Sequence, residues 1–326
     1  MRQLKLITYN VDGLPEKLDL NDLPWILKPI AWIYRLFKKT TVVTINDDTE
    51  KGEKMYRISS YLDDSGADII AVQEDFNYHS ELMTFLYATH TCSKHTGGFN
   101  LKKLWSSVEF FSYFPLPRFK TDGLSVITKD ESVILLNETI VPWRHSNGYI
   151  SHGNDLLTHK GFRLCELIVN GYIPIDVYNV HMDADFYDKD LCPDVDADIK
   201  ARREQLMQLL IFIFNRHNSG IHRPIIIMGD TNCSPNYAWD IDTINDYLLK
   251  PFFISNTSLE ISEISCADRD VDRIFIINDS MSEWKLEPES CMYDKVRFSD
   301  HLPFVALLNI ETNDPELYPL RDNKED

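Results

Sequence analysis

IIIMGDTN, residues 225–232, decides how this chain is read. Its apolar run ends in a glycine, a carboxylate and an amide, the mark of a buried strand that delivers polar side chains to one edge of a sheet. Three other segments repeat the pattern: LITYN at 6–10, IIAVQED at 69–75 and, in shorter form, FSDH at 298–301. Strand ends that collect acidic, amide and imidazole groups are how an α/β enzyme builds an active site.

Outward from these segments, the chain alternates strand and helix patterns. Residues 4–11 read as a buried strand closed by the turn signal NVDGLP, and RISSYLDDSG at 57–66 as a helix closed by Gly66, which leads into a strand from Asp68 to Gln73. That is the start of a βαβ unit. SELMTFLYAT at 80–89 reads as a helix, and DGLSVITK (122–129) and ESVILLNETIV (131–141) as neighbouring strands. RLCELIVNG and IPIDVYNVHM form a predicted hairpin turning at Asn170-Gly171. Residues 196–218 carry Leu206, Leu209, Leu210 and Ile213 at helical spacing, and further strands are expected at 224–228, 271–278 and 301–310. No composition shift or internal repeat divides the chain. A single domain is expected over 1–312, with an insertion at about 18–56 and a polar tail at 313–326.

The chain has 326 residues and a formal net charge of −18, enough length for a large core and a charge that opposes long-range attraction of nucleic acid. A basic groove or a bound divalent cation would reverse that field locally. Six cysteines, with no CxxC and no zinc-site spacing, read as free thiols. No apolar run reaches the ~18 residues of a membrane span, and the first strand begins almost at residue 1, which leaves a cytoplasmic protein or a mature form with its leader removed as expectations. The segment LPWILKPIAWIYRLFKKTT at 23–41 stands apart. Trp25, Trp32, Ile33, Leu36 and Phe37 alternate with Lys28, Arg35, Lys38 and Lys39 as in a helix lying at a lipid surface, so 23–39 is a candidate peripheral membrane contact; a helix packed on the domain is the plainer alternative.

The strand ends carry the chemistry. Glu74 is costly to bury unless a metal or a base neutralises it, and Mg²⁺ prefers carboxylate oxygens and shares its coordination with phosphate. Asp230 and Asn232, one residue apart on a strand, would face the same way and hold a water, with an Asx turn as the alternative. His301 can receive an orienting carboxylate from Asp272, and His181 is a second strand-end imidazole. His79, just past Glu74, can reach a phosphate, or is simply a surface histidine. Asp183 and Asp185 could bind a second cation, with solvated loop acids as the plainer reading.

In order and spacing, Asn10, Gln73-Glu74, His181, Gly229 to Asn232, Asp272 and Ser299 to His301 resemble the endonuclease/exonuclease/phosphatase superfamily over nearly the whole chain. The resemblance implies a four-layer α/β sandwich of two mixed sheets with helices outside. It also implies Mg²⁺, or Mn²⁺ in its place, held by Glu74 with Asn10 and Asp300. Asp230 and Asn232 would position the attacking water, Asp272 would pair with His301, and His181 would contact the phosphoryl oxygens. Whether Asp230 or His301 takes the water's proton stays open at this point. QEDFNYH at 73–79, LTHKGFRL at 157–164 and HMDAD followed by ARREQL resemble the neutral-sphingomyelinase-like branch, in which a Lys-Gly pair matching Lys160-Gly161 precedes a strand. With the acidic balance and the Trp-rich segment, this favours a phospholipid substrate, with Lys160 and His79 as binding residues. A nuclease of the same superfamily is the first alternative. A non-catalytic binding protein on the same fold is the second, and it predicts decay at site positions that are all present.

Overall fold

The inner strands of the two sheets bury side chains on both of their faces, and this double burial dictates the layering. Ile69 and Ala71 enter one apolar cluster while Ile70 and Val72 enter another. The structure, a computed structural model, describes residues 2–13, 49–97, 108–109, 118–119, 121–146, 159–184, 195–255, 257–266 and 270–313. Its elements begin with β1 (Arg2–Asn10), α1 (Thr49–Ser65), β2 (Ile69–Gln73), α2 (His79–Leu82) and β3 (His90–Cys92). The short strands β4 (Val108–Glu109) and β5 (Arg118–Phe119) precede β6 (Leu124–Lys129), β7 (Val133–Pro142), β8 (Gly161–Val169), β9 (Ile173–His181) and α3 (Val195–Asn218). The chain continues with β10 (Ile225–Asp230), α4 (Ala238–Ile244), a π-helical turn, α5 (Lys250–Ile254), β11 (Leu259–Ile264), β12 (Asp272–Asp279), β13 (Trp284–Tyr293) and β14 (Phe304–Thr312).

Two six-stranded mixed sheets result, in the orders β13-β14-β1-β2-β6-β3 and β11-β12-β10-β9-β8-β7, and β4 pairs with β5 apart from both. The core between the sheets is built from Leu4, Leu6, Ile69, Val126, Phe304 and Leu308 on one side and Leu167, Ile175, Val177, Ile226, Met228 and Ile274 on the other. Ile58 and Leu62 of α1 cover the outer face of the first sheet. Leu206, Leu209, Leu210 and Ile213 of α3 cover the second, as their spacing predicts. The four-layer sandwich is therefore the observed fold. At its centre are two βαβ units: β1 and β2 pair in parallel across α1, and β9 and β10 pair in parallel across α3. Both parallel pairs end at the same rim.

Several local expectations need correction. Only His79–Leu82 of the segment after residue 78 is regular helix, and successive turns carry the chain on to Thr89. β6 and β7 are not neighbours in a sheet; β6 lies in the first and β7 edges the second, because the turn at Asp130–Ser132 crosses the sandwich. The edge strands β11 and β13 were not anticipated. β13, WKLEPESCMY, is polar and carries Pro288 beside a bulge, which an edge strand tolerates. The hairpin holds: β8 and β9 are antiparallel around Asn170 (φ 53°) and Gly171 (φ 82°). The helix expected at 57–66 begins at Thr49, and the segment 23–39 lies outside the described residues.

Candidate active site

Register brings the strand ends together. Asn10 pairs with Gln73 at the end of the first parallel pair, and Asp230 pairs with both His181 and Asp272 at the end of the second. Gly229 makes this register achievable. At φ 144° it brings β10 so close to β9 that a Cβ would sit 2.1 Å from the carbonyl oxygen of Val180. Just past the strands, Asp12, Glu74 and Asn232 adopt positive φ (47°, 59° and 50°). Among the described residues the only other non-glycine case is Asn170 in its hairpin turn. Backbone held in this region carries strain that the surrounding structure must sustain, and such strain concentrates at functional sites.

Asp230 Oδ2 is the focus of the site. Asn10 Nδ2 donates to it at 3.0 Å, His181 Nε2 lies 3.6 Å away and His301 Nε2 3.8 Å away. Asn10 Nδ2 also donates to Glu74 Oε1 at 3.2 Å, and His181 Nε2 is 4.0 Å from that same oxygen. The far nitrogen of His301, Nδ1, is hydrogen-bonded to Asp272 Oδ2 at 2.7 Å. Among the described residues His181 Nδ1 has no partner, whereas Nε2 faces the two carboxylates, which favour the proton on that nitrogen.

Burial and charge set the protonation states. Burial pushes Glu74 up to about 7, against the lowering by Lys160 and Asn10. For Asp230, burial is outweighed by His301, His181, Asn10 and Lys160, so its carboxyl lies below the ordinary value. Burial, then the Lys160 charge, holds His181 well below an ordinary imidazole. Burial raises Asp272 to about 6. Burial would lower His301, but Asp272, Asp230 and Asp300 override it and raise the imidazole to about 11. Near neutrality the pair is therefore imidazolium and carboxylate.

Not every expected residue joins this network. Asn232 lies beyond the strand, and its side chain donates to Met182 O at 2.9 Å while its N–H closes an Asx turn on Asp230 Oδ1 at 2.8 Å. It fixes Asp230 rather than lying beside it. Asp300 is exposed and accepts from Ser299 Oγ at 3.0 Å; no hydrogen bond joins it to Asn10 or Glu74. His79 belongs to a separate cluster, with Nδ1 2.6 Å from Asp75 Oδ2 and its ring stacked on His95. Lys160 is buried, reaches Met182 O at 3.5 Å and acts electrostatically on Glu74, Asp230 and His181. Asp183 is no solvated loop acid: it is buried and bound by Gln205 Nε2 at 2.8 Å.

Supporting residues escaped the sequence reading. Asn179 spans the sheets, donating to Val72 O (2.9 Å) and Ser125 O (2.8 Å) and accepting from Gln73 Nε2 (2.7 Å). Trp143 Nε1 holds His181 O at 2.7 Å, and Tyr293 OH holds Asp272 O at 2.6 Å. Fully buried Arg163 clamps Asp122, at 2.8 Å from Nη2 to Oδ2. Only Asn179 carried a signal, as a polar residue inside an apolar strand.

The donor set suits a hard divalent cation. Two carboxylates, the half-buried Glu74 and the buried Asp230, converge on one amide, and their mutual repulsion contributes to the rise of Glu74. An oxygen-bound cation relieves that repulsion.

Comparison with known proteins agrees with the fold. The model of the Endonuclease/Exonuclease/phosphatase family matches residues 7–301. No curated protein sequence matches the chain. Among solved structures, sphingomyelinase C from Streptomyces griseocarneus superposes with a TM-score of 0.56 at 14% identity, covering 95% of this chain and 100% of that one. A humanized TDP2 of D. rerio gives 0.56 at 12% identity, covering 94% and 99%. Beta toxin from Staphylococcus aureus, with bound magnesium ions, gives 0.55 at 16%, covering 94% and 99%. With the family match spanning both parallel pairs and every strand end of the site, the chain belongs to the endonuclease/exonuclease/phosphatase family.

Proposed function

We propose that the chain is a metal-dependent phosphodiesterase that hydrolyses the headgroup phosphodiester of a phospholipid by in-line attack of water. The observation that carries the reaction class is the convergence of Asn10, His181 and His301 on Asp230 Oδ2, beside Glu74. Glu74 and Asn10 would hold Mg²⁺, with Mn²⁺ able to substitute; bound there, the ion would polarise a phosphoryl oxygen and offset developing negative charge. Asp300 is left out of this set because it is exposed and bonded to Ser299.

The attacking water is assigned to Asp230. His301 is flanked by carboxylates at both nitrogens and so keeps both protons, which leaves Asp230 as the group with a free lone pair for the water's proton. Asn232 orients Asp230 through its N–H. The His301 imidazolium and the His181 Nε2–H stabilise the equatorial oxygens as the bond to the leaving oxygen breaks, and the departing oxygen takes a proton from solvent while Asp230 returns its own there. Lys160 adds positive charge felt by Glu74, Asp230 and His181.

The likeness to sphingomyelinase C and to TDP2 is equal, at 0.56, so it does not choose between lipid and DNA. The choice rests on the net charge of −18, which disfavours a polyanion, and on the Trp-rich basic segment 23–39. The test is Mg²⁺-dependent hydrolysis of sphingomyelin-containing liposomes and of single- and double-stranded DNA, with Glu74→Gln as control. Phosphocholine release lost in the variant is the expected result. DNA cleavage without lipid hydrolysis would move the substrate to nucleic acid, and no hydrolysis of either would remove both. Charged substitutions at Trp25, Trp32 and Phe37 should weaken liposome binding; unchanged binding would return that segment to a packed helix.

A further inference from the structure

The opposite end of the second sheet carries a cluster of its own. His217 in the last turn of α3, His222 in the segment entering β10 and Asp279 at the end of β12 converge there. Asp279 Oδ2 lies 3.0 Å from His217 Nδ1 and 2.8 Å from His222 Nδ1, and the two rings meet edge to face with centroids 4.9 Å apart. The second oxygen is already engaged: Oδ1 accepts from Ser258 Oγ at 2.6 Å and from the Met281 N–H at 3.0 Å. Asp279 is buried, whereas the side chains of His217 and His222 are 10% and 24% exposed, so one side of the cluster opens to solvent.

We propose that His217 Nδ1, His222 Nδ1 and Asp279 Oδ2 form a binding site for a divalent transition metal of the Zn²⁺ class. Two imidazole nitrogens and one carboxylate oxygen from three separate chain segments are a Zn²⁺-type ligand set, with water completing the tetrahedron. Metal–ligand bonds of roughly 2.0–2.2 Å put tetrahedral ligand atoms about 3.3 Å apart. The ligand atoms here all lie within 4.8 Å of one another, and the two nitrogens need to retreat from Oδ2 by only a few tenths of an ångström. Asp279 is oriented in advance, since Ser258 and Met281 fix Oδ1 and leave Oδ2 to the metal. Ser258 Oγ also lies 3.4 Å from His217 Nε2, positioned to steady the ring through the nitrogen the metal does not use. The site is distinct from the catalytic one: β12 runs from Asp272 to Asp279, about 23 Å at ~3.3 Å per residue. A metal there would tie the end of α3 to the start of β10 and the end of β12.

The test is equilibrium uptake of Zn²⁺ and Co²⁺ by the full chain in excess Mg²⁺, read by metal content after dialysis and by the visible absorption of tetrahedral Co²⁺. Wild-type protein should retain one equivalent and gain thermal stability with Zn²⁺. The His217→Ala/His222→Ala protein should lose both effects while its circular dichroism and Mg²⁺-dependent hydrolysis stay unchanged. Glu74→Gln should keep the equivalent, which separates this site from the catalytic centre, and Ser258→Ala should weaken it about tenfold. If the double variant does not fold, His222→Gln alone, at the more exposed ligand, replaces it. No retained equivalent in wild type, or one that survives loss of the histidines, overturns the proposal and leaves a hydrogen-bonded His–Asp–His network.

Discussion

Replacing Asp272 with asparagine preserves shape and removes the charge that keeps His301 protonated. Asp272 is buried, and its Oδ2 accepts from His301 Nδ1 at 2.7 Å. His301 stands at about 11: burial pulls it down, and Asp272 is the first of the charges that push it up, ahead of Asp230 at 3.8 Å. Without Asp272 the imidazole moves back toward its ordinary ~6.5. A group with that pKa is only about 3% protonated at pH 8, so the rate should fall about 30-fold at that pH from protonation alone. Lost orientation adds a factor that does not depend on pH, within the 10²–10⁴ range typical of acid–base groups. The ratio of wild-type to variant kcat/KM should therefore be smallest near pH 5.5 and grow toward tenfold per pH unit above about 7. The assay is kcat/KM from about pH 5.5 to 9 on one phosphodiester with saturating Mg²⁺, where effects common to both proteins cancel in the ratio. A ratio that stays flat across this range would refute the assignment of a catalytic imidazolium and leave Asp272 a purely structural partner.

Glu74→Gln should abolish Mg²⁺-dependent turnover without unfolding the protein. Burial raises this carboxyl to about 7, above the ~4.3 of an unfolded chain. In chelator, wild-type stability should therefore decline as pH rises from ~4.3 through about 7, and urea titrations of the glutamine variant should lose that slope. Gly229→Ala drives a methyl into the Val180 carbonyl and should separate β9 from β10, lowering both the urea midpoint and activity; a normal midpoint would contradict the close approach. Arg163→Met leaves Asp122 buried without its clamp and should cost about 3–5 kcal/mol in urea unfolding, part of which Asp122→Asn should restore in the double variant. No recovery in the double variant would place the loss in Arg163's bonds to Ser93 and Lys94 instead.

How much of this was legible depended on whether a signal was local. β2 and β10 were visible because a continuous apolar run must be buried on both faces, and α3 because Leu206, Leu209, Leu210 and Ile213 repeat at helical spacing. β13 was invisible for the converse reason. As an edge strand it keeps Lys285, Glu287, Pro288 and Glu289, and its strand character comes from pairing with β14, which no local pattern records. The placement of β6 and β7 in different sheets was equally hidden, since a three-residue turn serves a crossing as well as a hairpin.

The site divides along the same line. Each of its polar residues could be found as the end of a strand, yet its working pairs are contacts between the two sheets. Asn10 on β1 meets Asp230 on β10, Glu74 after β2 lies by His181 on β9, and His301 before β14 meets Asp272 on β12. Gln73 and Asn179 repeat the crossing one layer deeper. Each of these pairs bridges the two sheets, so the chemistry exists only where the apolar core holds the sandwich closed. The same geometry explains why the backbone is strained at Glu74 and Asn232. A strand end continuing in extended conformation would carry its side chain along the rim, whereas a left-handed residue turns the chain aside and lets Glu74 lean toward Asn10 and Asn232 lock Asp230. Burial of the core supplies the stability that holds both residues in that conformation, and the rim where the two parallel pairs end is the place where their strain becomes position.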